Sequence, residues 1–228
     1  MTGYMSIAKH IRAIFNNISC PNISDALDRL GIRGQVNGIL PLWPRCPKVA
    51  GPVMTMKLTT ETGGSTVIGT LEAIAASNPG DILVIDFDGR LDLNSWGGIA
   101  TYTAQYHGLA GCVIDGATRD IDEMHARGFP VFGRGIVVTS VRGRTAFVGY
   151  NIPVKLGEVI VNPGDFIFAD DNGVVAVPQD RLQEVIELAQ YLSKREIEIC
   201  QDIAKGIPAI EAHEKRRYDE WTVSSDTP

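Results

Sequence analysis

The sequence predicts a layered α/β domain built around a sheet, and three observations carry that reading. Short apolar runs bounded by Gly, Pro and Asp recur through the middle of the chain. One turn-and-strand unit occurs twice, and a long amphipathic helix follows the last strand. No G-x-G-x-x-G follows the first strand and no G-x-x-x-x-G-K-[ST] occurs, which argues against a doubly wound nucleotide fold.

The elements follow in order. Residues 1–17 mix Lys9, His10 and Arg12 with isolated apolar residues and lack the unbroken apolar core of a signal peptide. Residues 22–30 predict a helix capped by Ser24 or Asn22, with Asp25 in its first turn and Gly31 ending it. Residues 49–58 predict a strand, and residues 61–77 a helix with Val67, Leu71, Ile74 and Ala75 on one face. Asn78-Pro-Gly-Asp81 then feeds an apolar strand ending at Asp86 and Gly89. The unit recurs 84 residues later as Asn162-Pro-Gly-Asp165, with Asp170 and Gly173 at its end. Each copy reads as a turn in which Pro sets φ, Gly permits φ > 0 and Asp closes the loop. The alternative, Asp86 and Asp170 as paired metal carboxylates, stays open because both stand at strand ends.

Between the copies, a glycine-bearing loop over 94–98 precedes a helix over 99–107. A buried strand over 111–115 runs into a tight turn over 116–120, a short helix over 122–127 and a strand over 129–132. Residues 136–142 and 146–150 predict a β pair, 173–178 a buried strand, and 180–205 the long helix. Pro208 interrupts that helix, and residues 211–221 form a charged, helical tail, of the kind that packs on a neighbouring subunit or stays solvated. The expected organisation is one domain over 1–206 and a partly helical tail over 207–228.

Composition bounds the function. A chain of 228 residues, 44% apolar and 21% charged, suits a soluble globular domain. A net charge of −6 gives no general electrostatic footprint for nucleic acid, so an anionic ligand needs a metal ion or a well-placed Arg. The four cysteines form no Cys-x-x-Cys pair and predict no disulfide, pointing to a reducing compartment. No run approaches the roughly 20 apolar residues that span a bilayer. A cytoplasmic location is expected.

Chemistry concentrates between residues 97 and 120. Gly97 and Gly98, directly before a helix, leave backbone N–H groups uncovered where the helix dipole favours an anion. Asp115-Gly-Ala-Thr-Arg119-Asp120 sets a permanent cation beside a carboxylate after a buried strand, where α/β folds project reactive groups. Asp120 is a hard oxygen ligand suited to Mg²⁺, and Arg119 can fork to a carboxylate or enolate oxygen. The bland alternative has Asp120 capping the next helix and Arg119 in a surface ion pair. His107 and His125 flank this segment, Ser24 and Asp25 are possible cleft residues, and Trp43 and Trp96 read as packing residues. Arg142 and Arg144 form either a basic patch or ion pairs.

Residues 94–98, then Gly108 to Asp120 with Val-Ile-Asp-Gly-Ala-Thr-Arg-Asp, then Gly128-Phe-Pro-Val-Phe132, resemble the RraA-like family. The family takes its name from a regulator of ribonuclease activity and includes the class II 4-hydroxy-4-methyl-2-oxoglutarate and 4-carboxy-4-hydroxy-2-oxoadipate aldolases. The likeness runs from about Ser24 to about Glu198. It implies a β/β/α, swivelling-domain-like sandwich with C-terminal helices, assembled as a homotrimer or hexamer with sites between subunits.

For the site, the resemblance implies a divalent ion, Mg²⁺, Mn²⁺ or another, on Asp120, with Arg119 contacting a 2-oxo acid. The backbone of Gly97, Gly98, Ile99 and Ala100 would hold the substrate carboxylate. Asp115 is an additional candidate, as are Glu196 and Glu198 from a neighbouring subunit's C-terminal helix. One departure stands out: the aldolases carry an acid where this chain has Gly98. The expected activity is metal-dependent carbon–carbon cleavage of a small 2-oxo acid through a stabilised pyruvate enolate, by aldol cleavage, oxaloacetate decarboxylation or both. The alternative is a non-catalytic regulatory binding protein of the ribonuclease-regulator type, with the same fold.

Overall fold

Phe166 and Phe168 turn to one side of a strand and Ile167 and Ala169 to the other, and the molecule accordingly has two apolar cores. The computed structural model describes residues 2–61 and 64–218. In chain order its elements are α1 (Thr2–Phe15), α2 (Cys20–Arg29), β1 (Gln35–Val36), β2 (Leu40–Pro41), β3 (Val49–Thr59), β4 (Gly64–Ser65) and α3 (Thr66–Ala76). There follow β5 (Ile82–Asn94), α4 (Gly98–Tyr106), β6 (Gly111–Thr118), α5 (Ile121–Arg127), β7 (Val131–Gly133), β8 (Gly135–Ile136) and β9 (Ala146–Tyr150). The chain continues through β10 (Val154–Leu156), β11 (Val159–Val161), β12 (Phe166–Asp170), β13 (Gly173–Val177), a 3-10 turn (Gln179–Arg181), α6 (Leu182–Ala204) and α7 (Ala209–Arg216). This is a mixed α/β fold with C-terminal helices, as the sequence predicts.

The main path of the sheet runs β1-β13-β12-β3-β5-β6-β7-β2, with β9 also on β3 and β8 on β6. The centre is parallel, β3 to β5 to β6 to β7, and the β12–β13 side is antiparallel. Strands buried on both faces read as continuous apolar runs rather than alternating ones, and Ile82 to Ile85 is such a run, fully buried. The first core lies over β3, β5, β6 and β7; the second packs α1, α2 and α6 on β12 and β13. Phe15 of α1 meets Phe168 edge-on at 5.2 Å.

Both Asn-Pro-Gly-Asp turns close in the same way. The Asn78 amide donates to Asp81 Oδ2 and the Asn162 amide to Asp165 Oδ2, each at 2.8 Å, with Gly80 and Gly164 at φ of 97° and 88°. The acidic ends of the two copies are structural. Asp86 pairs with Lys57 Nζ at 2.9 Å and accepts from the Lys155 amide, while Asp170 accepts from the amides of Cys20 and Asn172. They are not a metal pair: each is satisfied by its own donors, and they share none.

Several local expectations are corrected. Residues 2–15 form a helix where the sequence shows only isolated apolar residues; Ile11 and Phe15 face inward from it, and Ile18 just beyond it is buried too. Helix α2 is capped by Ser19, not Ser24 or Asn22; Asn22 instead reaches back to accept from the Ser19 amide at 3.1 Å. Gly31 follows it with φ 64°. Helix α3 turns Thr66, Gly69, Thr70, Ala73 and Ile74 inward and leaves Val67 and Ala75 exposed. Its inner face is small because Gly69 lies against the Phe147 ring, where a Cβ would come within 2.2 Å. The turn expected over 116–120 is strand as far as Thr118, because Ala117 and Thr118 find a partner in β8. Residues 137–142 are not a strand, and β9 pairs with β3 and β4 rather than with them. The charged tail folds back on its own chain: Ala212 is buried, and Arg216 reaches Asp202 at 2.9 Å and Glu198 at 2.7 Å. Residues 219–228, Trp221 among them, lie outside the described residues.

No helix among the described residues is long and apolar enough to cross a membrane. All four cysteines are free thiols. Burial pushes Cys46 up to about 11 and raises Cys20 and Cys112 as well, whereas Cys200 is exposed. Thiolates are the reactive form. A disulfide-exchange reagent at pH 8 is therefore expected to titrate one thiol rapidly in the native protein and all four in denaturant; a second fast native thiol would contradict this packing.

Candidate functional site

The site forms where β5 and β6 end side by side. Their register is regular from Ile82 opposite Gly111 to Asp86 opposite Asp115. Strand β5 then makes an excursion, so that Arg90 faces Gly116 and Asn94 faces Ala117. Asp88 and Gly89, at φ of 54° and 67°, turn that excursion. Its return lays Ser95 and Trp96 along Ala117 to Arg119: the Ser95 amide donates to the Ala117 carbonyl at 2.9 Å, and the Arg119 amide to the Trp96 carbonyl at 3.3 Å.

Polar side chains fasten the two segments. Asn94 Nδ2 and Thr118 Oγ1 both donate to the Trp96 carbonyl at 2.9 Å, while Asn94 Oδ1 accepts from the Val141 amide. Trp96 is almost wholly buried and donates Nε1–H to Thr101 Oγ1 at 2.8 Å. Trp96 and Trp43 both pack, as expected. His125 stacks on Trp43 and does not enter the site.

On this frame lies a cavity of about 310 Å³, walled by residues 94–100, by Arg119, Asp120 and Glu123, by α3 and by residues 140–142. Gly97, Gly98, Ile99, Ala100, Arg119 and Asp120 all line it. Asp120 sits at the N-cap position of α5, but its side chain makes no cap hydrogen bond. Instead Oδ2 accepts from the Gly98 amide at 2.8 Å, across the cavity floor. Its backbone is left-handed, φ 61°, a conformation that Asp tolerates better than most residues and that points it away from its own helix. Gly97 leaves room for it: a Cβ there would come within 2.7 Å of Asp120 Oδ2.

Arg119 is mostly shielded. Its Nε stands 3.6 Å from Asp120 Oδ2, too far for a hydrogen bond, and that buried N–H has no hydrogen-bond partner. A buried donor left without an acceptor in a residue that lines the cavity calls for an explanation, and a ligand oxygen is one. Helix α4 starts at Gly97 without a side-chain cap, so Ile99 and Ala100 belong to a first turn whose amides lack intrahelical acceptors. The Gly98 amide is spoken for by Asp120.

Five of the sequence candidates lie elsewhere. Asp115 is buried beneath the sheet end, ion-paired with Arg134 Nε and accepting from the Gly157 amide at 2.7 Å. Within the protomer neither Glu196 nor Glu198 lines the cavity. Glu196 accepts from Tyr218 Oη at 2.6 Å and Asn22 Nδ2 at 2.7 Å, and Glu198 from Arg216 at 2.7 Å. Ser24 and Asp25 line a separate, shallower depression with Gln35 and Asn172. Two residues of the wall were not read as part of the site in the sequence: Arg142, weighed as a basic patch or an ion pair, and Glu123. Arg142 is a second arginine among the residues of the wall, on a segment that is not a strand. Glu123 was read as part of a short helix, and it lines the cavity from the first turn of α5.

The donor set can be tested against a divalent ion. Asp120 Oδ1 accepts no hydrogen bond among the described residues, so one carboxylate oxygen is free to coordinate while the other is fixed by Gly98. No group of three or more His, Cys, Asp or Glu suited to a metal ion occurs among those residues. Such a set does not fit a closed zinc site. It fits a hydrated hard cation of the Mg²⁺ kind, held by one carboxylate, waters and substrate.

Comparison with known proteins gives a family model described as RraA-like, Aldolase/RraA, over residues 20–176. The protein DlpA of Legionella pneumophila is 36% identical over 205 residues, covering 90% of this chain and 33% of DlpA, so the chain spans about a third of that relative. A protein of Halalkalibacterium halodurans named "Putative 4-hydroxy-4-methyl-2-oxoglutarate aldolase" is 31% identical, with 87% of this chain and 91% of that one covered. Among solved structures, Streptomyces coelicolor RraAS2, described as an unusual member of the RNase ES inhibitor RraA protein family, superposes with a TM-score of 0.71 at 28% identity. That match covers 81% of this chain and 93% of the other.

The Asp115 correction is testable. Replacing Asp115 by Ala leaves Arg134 and the Gly157 amide without their acceptor, and urea unfolding is expected to show a loss of about 1–3 kcal/mol. Unchanged stability would mean that the pair does not fasten this sheet end.

Proposed function

The chain belongs to the RraA-like family, and on that premise we propose that it is a divalent-metal-dependent carbon–carbon lyase acting on a small 2-oxo acid. The observation that carries this reading is the Asp120 carboxylate, drawn off its own helix onto the Gly98 amide with one oxygen left free, beside the unsatisfied Nε–H of Arg119. Asp120 would hold the ion, Mg²⁺ or Mn²⁺. When bound, the ion supplies Lewis-acid stabilisation of the charge that develops on the 2-oxo acid.

The chain's own groups do the rest. Ile99 and Ala100 offer amides at a helix N-terminus for the substrate carboxylate. Arg119 donates to the oxygen that becomes anionic as the carbon–carbon bond breaks, an interaction stronger in the transition state than in the ground state. Arg142 offers a charge partner for a second, distal carboxylate. Both aldol cleavage and oxaloacetate decarboxylation pass through the same pyruvate enolate, so one site serves either. A purely regulatory protein of the ribonuclease-inhibitor type would have the same fold, and metal-dependent turnover separates the two readings.

We also propose the trimeric or hexameric assembly; Ile99, Tyr102 and Tyr106, exposed on α4 beside the cavity, support it. Light scattering is expected to give three or six times the 24.7 kDa protomer mass; a monomer at micromolar concentration rejects it. For the activity, oxaloacetate with Mg²⁺ is expected to release pyruvate, EDTA to stop it, and Asp120→Ala to lower turnover by at least about 10²-fold. Turnover by the Asp120 variant at the wild-type rate would sink the assignment.

A further inference from the structure

Two carboxylates line the cavity, and they are not equivalent. Asp120 is held by the Gly98 amide and stands near Arg119. Glu123, one turn along α5, makes no hydrogen bond or ion pair among the described residues, although it lies in the cavity wall. Its position is specific. A Cβ built on Gly98 would come within 2.3 Å of Oε2, 2.9 Å of Oε1 and 2.7 Å of Cδ of Glu123. Glu123 is exposed and unanchored, and as placed its carboxylate lies where a side chain at position 98 would begin. Gly98 is flanked by both acids, Asp120 on its amide and Glu123 on its Cα.

The remaining lining groups offer no other proton acceptor of suitable strength. Among the described residues the cavity wall holds no His, Lys, Cys or Tyr. Asn94 is tied at both ends, Thr66 pairs with Thr145, and Thr70 donates to the Thr66 carbonyl. Arg119 and Arg142 are permanent cations. We propose that Glu123 is the catalytic base of this site, taking the place of an acid on residue 98; the inference rests on the lyase reading above.

For a 4-hydroxy-2-oxo acid the step balances as follows. Glu123 accepts the C4 hydroxyl proton, the C4–O electrons form the new carbonyl, and the C3–C4 bond breaks with its electron pair passing into the C2–C3 enolate of pyruvate. Glu123 then returns the proton to C3, giving pyruvate and leaving the carboxylate as it began. Oxaloacetate loses carbon dioxide without any hydroxyl proton to remove, and water can protonate its enolate, so decarboxylation depends less on this base.

The distinguishing measurement is exchange of the pyruvate methyl protons with D₂O, followed by NMR on the full-length protein with Mg²⁺. It needs a base at C3 and does not depend on which aldol is the natural substrate. Glu123→Gln is expected to slow exchange by about 10²-fold or more, to slow oxaloacetate decarboxylation at least about tenfold less than that, and to keep oxalate affinity, measured by calorimetry, within about threefold. Gly98→Asp combined with Glu123→Ala moves a carboxylate into the vacated volume and is expected to recover exchange at least about tenfold over Glu123→Ala alone. Exchange unaffected by Glu123→Gln overturns the assignment. So does an equal loss of exchange, decarboxylation and oxalate binding, which would make Glu123 a structural support. A wild-type protein that decarboxylates oxaloacetate but exchanges no pyruvate protons overturns the assignment and leaves the lyase reading standing. One that neither binds oxalate nor decarboxylates overturns both.

Discussion

The parallel pairing of β5 with β6 is the constraint on which the site depends. Five consecutive pairs, from Ile82 and Gly111 to Asp86 and Asp115, lock the two strands in register at the centre of the sheet, where both are buried. Beyond Asp86 the strands diverge in length but not in direction. The excursion of β5 brings Trp96 and Gly97 back beside Thr118 and Arg119, so residues more than twenty positions apart meet with their backbones hydrogen-bonded. A one-residue slip in a buried strand would send every side chain to the opposite face. The apolar run over 82–85 therefore fixes the placement of polar groups it never touches.

The two buried aspartates at the end of that pairing show how the fold manages charge. Asp86 and Asp115 are opposite one another on neighbouring strands, which by itself would be repulsive. Lys57 neutralises the first and Arg134 the second, while the amides of Lys155 and Gly157 complete each shell. The β10–β11 hairpin is fastened to the sheet by these same contacts. With those two carboxylates fully committed, Asp120 and Glu123 remain the acids that face the cavity.

Glycine has a definite role here. Gly97 is fully extended, and at both Gly97 and Gly98 the space next to the Cα is taken up by a carboxylate oxygen, of Asp120 and of Glu123 respectively. Asp120 at the N-cap of α5 and Glu123 in its first turn thus both reach Gly98 at the start of α4. A helix N-terminus that looks like a bare anion cradle in the sequence is already half filled by the protein's own Asp120.

Much of this was legible in the residues alone. Turn chemistry is local, so Asn-Pro-Gly-Asp predicted the same closure at both copies, and the Gly-Gly and Arg-Asp signals marked the segment that lines the cavity. Helical spacing located α4, α5 and α6 to within a few residues. What the chain could not disclose are contacts made across it. Whether Asp115 or Asp120 faced the cavity turned on where β6 ended, and that was set by pairing with β8. The small inner face of α3 follows from the Phe147 ring, far along the sequence. The segment that carries Arg142 is tied to the ends of β5 and β6, through Asn94 and Thr118, and so lies beside the cavity. Glu123 acquires meaning only against Gly98, since a missing side chain says nothing about what fills its volume. Backbone propensity and turn geometry are short-range and can be read in order along the chain; the proximity of Gly98, Asp120 and Glu123 is a product of sheet register, which only the folded chain determines.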